Sequence, residues 1–235
     1  IEFNSENNFS FNINKNFEFN DLKIESVIDL NQLTINQKNL KLKTYLPSFN
    51  EKIKFERHKI VINYNENKFN MNGSGNFLLK DKTDYISYRI TKDKNNLSFD
   101  SKIKLKNNSL LLDILDYKKK EGLDSLISLK GNFKNNNQVR FDFISLEENN
   151  NKISIQSLDL SKSFKIIDIK SLNINLKNNK KFSNKLSLKK DNSSFLIEGE
   201  SFDASKIINN IIESDEDSPS IFENLNTKIY IRINQ

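Results

Sequence analysis

The chain contains no cysteine and no tryptophan, and among its 235 residues there are only two prolines, five glycines and one histidine. Without cysteine, a disulfide, a thiolate nucleophile and a cysteine-ligated zinc site are excluded. So few glycines and prolines exclude a collagen-like or flexible-linker chain. No partner set for a catalytic triad is evident around the single histidine, His58, and the HExxH and GxSxG motifs do not occur. We therefore expect no enzymatic activity, no metal site and no cofactor.

Long apolar runs are absent as well. No segment approaches the roughly 18–20 apolar residues that a membrane-spanning helix needs, and no signal peptide is present. The first residue is isoleucine, which is typical of a fragment or a processed chain. We therefore expect any membrane anchor to lie outside this sequence.

The net charge of +6 is spread over the whole chain. Most lysines fall on the polar phase of the strand pattern, and arginines are few, namely Arg57, Arg89, Arg140 and Arg232. A solvated sheet face accounts for these charges better than a nucleic-acid site does, so no nucleic-acid partner is expected. The one local cluster, Lys118-Lys119-Lys120, stands beside Glu121 and predicts a turn.

The dominant pattern is an alternation of apolar and polar residues, as in Phe9-Ser10-Phe11, which predicts β-strands. Strand-like runs recur every ten or so residues, and asparagine-rich turns such as the one at 149–151 separate them. The connections are too short for crossover helices, so antiparallel pairing of roughly 15 or more strands is expected. In each strand only every second residue is apolar, so one face of the sheet is apolar. That face must be covered to keep it from water. A sandwich, a barrel and an open groove all satisfy this requirement.

Three segments share an apolar-x-Gly-x-apolar pattern, and they contain Gly73 with Gly75, Gly131, and Gly199. Each glycine falls on the apolar phase of its strand. One interpretation is a bulge or bend at which two backbones approach closely. The other is that the missing side chains leave room for a ligand on the inner face.

Near residue 200 the periodicity changes from that of a strand to that of a helix. Asp203 is a favourable N-cap, preceded by Phe202. The spacing predicts an amphipathic helix near 204–214, with an apolar face made of Ile207, Ile208, Ile211 and Ile212. So short a helix has only marginal stability by itself. We therefore expect this face and Phe202 to dock on the apolar side of the sheet. The acids that follow, at 213 and 215–217, predict a solvated loop and not a calcium site.

Several short motifs of the C-terminal half occur in one order. They are Leu115-Asp116-Tyr117-Lys118-Lys119 followed by Gly122, then Leu129-Lys130-Gly131, then Phe141-Asp142-Phe143-Ile144-Ser145-Leu146. The most telling is Gly199-Glu200-Ser201-Phe202-Asp203-Ala204, a G-x-S-F-D junction that enters the helix. Together they resemble the bacterial AsmA-like proteins, the large cell-envelope proteins grouped with YhdP and TamB.

This resemblance implies a taco-shaped β-sheet in the periplasm, anchored in the inner membrane, that moves phospholipid toward the outer membrane. We therefore expect a mostly β protein in which residues 1–235 form one elongated antiparallel meander curled into a groove, with any subdivision near 107–123. Phospholipid acyl chains are the expected partner, and envelope proteins are further candidates. The residues expected to face the lipid are Phe9, Phe11, Ile62, Tyr64, Phe69, Met71, Phe77, Ile86, Tyr88, Phe99, Phe133, Phe141, Phe143, Ile153, Ile155, Ile174, Leu186 and Leu188.

Two other functions fit the same pattern. A structural or adhesion-type β-sandwich or solenoid would have a packed side-chain core and would take up no lipid. A scaffold for envelope assembly would share the groove and differ in its partner. Bound lipid would distinguish the groove from the protein with a packed core. A bound envelope protein would identify the scaffold.

Overall fold

The computed structural model describes residues 1–37, 42–66, 68–94, 96–134, 138–163, 165–192, 194–213 and 228–233, and for residues 210–213 it describes the backbone only. This part of the chain contains 15 β-strands, two α-helices and one 3₁₀ turn. Thirteen of the strands form one open sheet, which is not closed into a barrel, and the other two form a small hairpin. The predicted mostly β fold is thereby confirmed.

The first half of the sheet consists of β1 (Glu2–Ile13), β2 (Phe19–Asn36), β3 (Lys52–Asn65), β4 (Lys68–Leu79), β5 (Lys82–Asp93) and β6 (Asn96–Leu105). Between the halves, β7 (Leu110–Leu112) and β8 (Tyr117–Lys119) form the hairpin, which includes the 3₁₀ turn Asp113–Leu115. The second half consists of β9 (Ser125–Phe133), β10 (Val139–Glu148), β11 (Asn151–Leu160), β12 (Ile166–Lys177), β13 (Ser183–Asp191), β14 (Ser194–Ser201) and β15 (Lys228–Ile233). Helix α1 spans Leu42–Tyr45 and helix α2 spans Ser205–Glu213.

Consecutive strands pair antiparallel from β1 to β6 and from β9 to β14, as the short connections require. Strand β6 pairs directly with β9, from Leu97↔Phe133 to Leu105↔Ser125. The chain between them, residues 106–124, is therefore an insertion that leaves the sheet continuous, and we call it the insert. It contains the region near 107–123 at which the sequence suggests any subdivision.

The last strand departs from the meander, because β15 pairs with β14 in parallel, from Ser194↔Lys228 to Gly199↔Ile233. Parallel neighbours require the chain to return to the same end of the sheet before the second strand begins. Helix α2 lies in the segment that makes this return, and its bounds agree with the helix predicted near 204–214. Residue 214 and the acids at 215–217, for which a loop is predicted, lie outside the described residues.

Bulges bend several strands near their middle. In β3, Arg57 has a φ of 51°, and the pairing with β4 shifts between Glu56 and Lys59. In β10, the pairing with β9 shifts between Phe141 and Phe143. An extra residue bends its strand and increases the local twist, so the open sheet curves into a groove.

The three glycine motifs lie at such bulges. Gly75 faces the extra residue of β3, Gly131 faces that of β10, and Gly199 lies beside a register shift between β13 and β14. A Cβ atom added at Gly131 would lie 2.1 Å from the carbonyl oxygen of Arg140, and one added at Gly199 would lie 2.4 Å from that of Lys185. The glycines therefore permit close approach of two backbones, as the first interpretation predicts. The space that was expected for a ligand is occupied by the protein itself.

Gly131→Ala is expected to lower the free energy of unfolding by about 2–3 kcal/mol, because the new Cβ would overlap backbone atoms of the paired strand. Gly122→Ala is the matched control. Gly122 has a φ of 83°, which strains alanine, but nothing lies within 4 Å of its added Cβ. A cost of about 1 kcal/mol is expected there. Urea denaturation followed by circular dichroism measures both variants, and equal losses would contradict the steric argument.

Candidate functional site

The strand register brings the apolar residues of successive strands onto one side of the sheet. Met71 of β4 pairs with Ile90 of β5, and Ile90 pairs with Phe99 of β6. Directly opposed residues of antiparallel strands share a face, so these side chains lie together on what we call the apolar face. The alternate positions, such as the Asn72↔Arg89 pair, form the polar face.

The insert covers one end of the apolar face. Its residues Leu110 and Tyr117 are buried in a cluster that we call the insert cluster, together with Phe49 from the connection between β2 and β3. Its other buried members come from the sheet itself: Phe77, Leu79, Leu105, Leu146, Ile174 and Leu176. The segment that contains α1 also reaches this cluster, through Leu42 and Leu46. This end of the groove is therefore filled by the chain's own side chains.

Five of the predicted lipid-facing residues lie under the insert. Phe77 and Ile174 belong to the insert cluster, and Ile86, Ile153 and Leu186 pack against it. The alternation places them on the apolar face, as the structure does, but it does not indicate that a later segment of the chain covers them. In this structure they are core residues.

A second cluster consists of Leu158, Ile169 and Phe195. Three predicted lipid-facing residues, Phe141, Ile155 and Leu188, pack against it. The others on the apolar face belong to neither cluster: Phe9, Phe11, Ile62, Tyr64, Phe69, Met71, Tyr88, Phe99 and Phe133. We call the area formed by these residues the uncovered surface.

Phe143 lies on the opposite face. Strict alternation from Phe141 predicts that Phe143 lines the groove, but Phe143 pairs with Lys130 and Gln156. Its neighbour Ile144 packs against the second apolar cluster instead. The bulge between 141 and 143 adds one residue and reverses the phase of the rest of the strand. The prediction for Phe143 is therefore wrong, and Ile144 takes its place.

The uncovered surface is most exposed at the β1 edge of the sheet. Phe9 is 70 % exposed and stacks on Phe11, with ring centroids 6.3 Å apart. Phe11 in turn contacts Phe19, with ring centroids 5.0 Å apart. At the opposite edge, Ile231 of β15 is 65 % exposed. Contiguous exposed aromatic side chains are uncommon on monomeric proteins and mark interaction surfaces.

Buried polar groups hold the insert in place. Lys119 is completely buried, and its Nζ donates hydrogen bonds to the carbonyl oxygens of Lys106 at 2.7 Å and Asn108 at 2.8 Å. The Asp84 carboxylate of β5 accepts hydrogen bonds from the backbone N–H groups of Lys106, Asn107 and Asn108. Burial lowers the pKa of Lys119, and the Asp84 charge opposes this shift. The predicted turn at 118–120 is thus wrong, because Lys119 is a buried residue of β8.

Further contacts tie the insert to the second half of the sheet. The Tyr117 hydroxyl donates a hydrogen bond to the Glu148 carboxylate of β10, and both residues are buried. Burial and this hydrogen bond raise the pKa of Tyr117. The backbone N–H of Asn179 donates to the carbonyl oxygen of Asp116 at 2.8 Å. No pattern in the sequence distinguishes these polar residues from solvated ones.

Helix α2 docks beside the insert. Asp203 caps the helix, because its carboxylate accepts a hydrogen bond from the backbone N–H of Ser205 at 3.1 Å. Hydrogen bonds from Ser205 lower the pKa of Asp203. In the first turn of the helix, Lys206 forms an ion pair with Asp113 of the insert, with a distance of 3.2 Å between Nζ and Oδ1. The helix therefore contacts the insert.

The docked face of α2 is narrower than predicted. Phe202 and Ile207 are half-buried, but Ile208 is 51 % exposed and does not belong to the docked face. The helix lies against the 3₁₀ turn of the insert, and one short turn covers only part of a helix. The side chains of Ile211 and Ile212, the remaining predicted docking residues, lie outside the described part.

His58 lies on the apolar face at the bulge of β3, in the interior of the strand. It is 2 % exposed, and its ring centroid lies 5.3 Å from that of Phe55 and 6.1 Å from that of Tyr88. Neither of its ring nitrogens forms a hydrogen bond of normal geometry among the described residues. Burial lowers the pKa of His58, and a weaker hydrogen-bonding interaction with the backbone of Glu56 opposes this shift.

Two depressions lie on the polar face. One, of about 530 Å³, is lined by Lys59, Arg89 and Lys102 among others, and the second, of about 500 Å³, lies beside Lys185 and Glu198. Within the described ranges, no group of three or more His, Cys, Asp or Glu side chains is placed to hold a metal ion. None of the helices described there is long and apolar enough to cross a membrane.

Comparisons of this chain with protein-family models, with curated proteins and with solved structures find no match. The resemblance to AsmA-like proteins therefore rests on the short motifs alone.

Lys119→Met is expected to lower the free energy of unfolding by about 1–3 kcal/mol, because the carbonyl oxygen of Asn108 would lose this donor and that of Lys106 would keep only the N–H of Gly122. Lys118→Met is the matched control, since its side chain is exposed one residue away in the same strand. Urea denaturation of both variants gives the comparison. A loss for Lys119→Met no larger than that for Lys118→Met would rule out the anchoring role.

His58 is expected to make the free energy of unfolding depend on pH below about pH 6.5. Imidazole titrates near pH 6.5 in an unfolded chain, whereas burial lowers the pKa of His58 in the folded state. Below about pH 6.5 the unfolded chain therefore binds a proton that the folded chain does not. The free energy of unfolding consequently decreases as the pH is lowered. Denaturation of the wild type and of His58→Phe at several pH values measures this. In His58→Phe, the free energy of unfolding should depend less on pH below about pH 6.5 than it does in the wild type. An equal dependence in the two proteins would contradict the role given to His58.

Proposed function

We propose that this chain is a segment of a periplasmic β-groove that carries phospholipid acyl chains between the inner and outer membranes of a bacterium. The observation that carries the proposal is the uncovered surface. Phe133 is 44 % exposed and Phe9 is 70 % exposed on that surface, and among the described strands no second sheet lies over it. Transfer along such a surface requires apolar contact area and no catalytic group.

The aromatic side chains of the central strands form a contiguous apolar track. The ring centroid of Phe99 lies 5.6 Å from that of Phe133 and 5.5 Å from that of Phe141, so the rings bridge β6, β9 and β10. Each methylene group buried against such a surface contributes about 0.8 kcal/mol. Several methylenes therefore suffice to hold an acyl chain.

The surroundings of the groove are part of the same proposal. The AsmA-like motifs support an inner-membrane anchor outside this segment and envelope proteins as further partners. A scaffold for envelope assembly would use the same sheet, and its partner would be a protein instead of a lipid. The exposed aromatic side chains at the β1 edge are available to either kind of partner.

A structural or adhesion-type protein with a packed core is the second candidate, and the insert favours it. Leu79 and Leu105 are each 1 % exposed beneath the insert, as in an ordinary protein core. If the whole apolar side were filled in this way, no lipid would bind. The distinction therefore depends on whether lipid reaches the uncovered surface.

A photocrosslinking amino acid, p-benzoylphenylalanine, placed at Phe99 tests the proposal. Phe99 and Phe143 are both half-buried but lie on opposite faces, so Phe143 is the matched control position. Protein made in the bacterial periplasm and purified without detergent should form phospholipid adducts from position 99 and not from position 143. Mass spectrometry identifies the adducts.

Other outcomes separate the alternatives. If position 99 forms no lipid adduct and native mass spectrometry finds no co-purifying lipid, the groove proposal is wrong and the packed-core protein is favoured. Adducts with an envelope protein in place of lipid would identify a scaffold. Equal labelling at positions 99 and 143 would show nonspecific adsorption and would also overturn the proposal.

A further inference from the structure

Two polar side chains lie unpaired on the apolar face next to the glycines of β4. Neither ring nitrogen of His58 forms a hydrogen bond of normal geometry within the described residues, although the residue is only 2 % exposed and the Glu56 backbone interacts with the imidazole. The Tyr88 hydroxyl likewise forms no hydrogen bond with the described part of the chain. We call these two side chains the polar pair.

The glycines provide the space in which the polar pair lies. The nearest atoms of the His58 ring are 2.6 Å from the position of a Cβ added at Gly75, and the Tyr88 hydroxyl is 2.5 Å from that of a Cβ added at Gly73. Positions two residues apart in a strand are separated by roughly 7 Å. The imidazole and the hydroxyl therefore lie side by side along β4 at about that spacing.

The polar pair marks the boundary between the covered and uncovered parts of the apolar face. On one side, the Phe55 ring contacts His58 and packs against the insert cluster. On the other side, Ile62 pairs with Met71, and both belong to the uncovered surface. A ligand that lies on the uncovered surface and ends at the insert would thus place its end at the polar pair.

A structural role alone does not account for His58. A neutral imidazole carries one hydrogen-bond donor and one acceptor, and burying them unpaired is unfavourable. An apolar side chain would serve better, as Leu30, which pairs with His58, does on the neighbouring strand. A few polar groups with unused hydrogen-bonding capacity on an otherwise apolar surface are typical of a ligand site.

We propose that the polar pair binds the oxygen atoms of an amphiphile whose hydrocarbon chain lies on the uncovered surface. This inference rests on the proposed groove function and adds an orientation, with the oxygen end against the insert and the hydrocarbon chain pointing away from it. The shared chemistry is a hydrogen-bond-accepting oxygen, which an ester carbonyl, a carboxylate or a phosphate supplies.

The single histidine makes the test direct, because a protein labelled with ¹⁵N-histidine gives NMR signals from His58 alone. Monolaurin, lauric acid and dodecylphosphocholine offer an ester carbonyl, a carboxylate and a phosphate on alkyl chains of similar length. At least one of them should shift the imidazole ¹⁵N signals as it is titrated into the protein. Monolaurin should leave the titration midpoint of His58 unchanged, whereas either anionic group should raise it, because a negative charge favours imidazolium.

Variants test the same site by affinity. His58→Phe should weaken binding of the probe that shifts the signals by about tenfold, the expected loss of one strong hydrogen bond, and Tyr88→Phe should weaken it by a smaller factor. Tyr85→Phe is the matched control, because Tyr85 pairs with Lys104 and lies on the polar face. Isothermal titration calorimetry measures the affinities. If His58→Phe is unfolded by circular dichroism, Tyr88→Phe and the wild-type NMR titration decide the question.

Failure of the polar-pair inference and failure of the groove function give different results. If position 99 crosslinks to lipid while no probe moves the imidazole signals, the polar pair is not a ligand site and the groove function stands. The same conclusion follows if Tyr88→Phe binds the probes as tightly as Tyr85→Phe. If position 99 does not crosslink and no probe moves the signals, both the polar-pair inference and the groove function are wrong.

Discussion

A sheet of 13 strands with one apolar face cannot expose all of that face to water, and the rest of this structure depends on how the face is covered. Closure into a barrel does not provide the cover, and the only second sheet among the described residues is the small hairpin of β7 and β8 within the insert. The cover comes instead from the connections at one end of the strands. The insert and the segment around Phe49 pack there on Phe77, Leu105 and Ile174. Because these connections are short, they cover part of the face and leave the remainder as a groove.

The insert is held by buried polar contacts as much as by apolar packing. A segment that crosses an apolar face brings backbone groups with it, and these must find hydrogen-bond partners away from water. Asp84 supplies the acceptor for three backbone N–H groups, and Lys119 supplies the donor for two carbonyl oxygens. Both charges lie within the same small region, where they also compensate each other. This arrangement fixes the insert in one position and thereby fixes where the uncovered surface begins.

The two candidate functions correspond to two parts of one surface. Beneath the insert the sheet is an ordinary packed core, and toward the β1 edge it is an exposed aromatic surface on which Phe9, Phe11 and Phe19 contact one another. The polar pair lies at the junction of these two parts, where a purely structural sheet would need only apolar side chains. We propose lipid binding for the exposed part because its aromatic side chains lie close together and hydrogen-bonding groups without partners lie beside it.

The sequence by itself determined the β-strands, the single apolar face and a short helix near 204–214, because periodicity and capping are local properties of the chain. It did not determine the face of Phe143, the burial of Lys119, the exposure of Ile208 or the unpaired state of His58. Phe143 changes face because a bulge reverses the phase of its strand, and a bulge depends on pairing with a neighbouring strand. Lys119 is buried because distant residues, such as Asp84, surround it. Only the tertiary structure decided these features, since each depends on which strands and connections lie together in space.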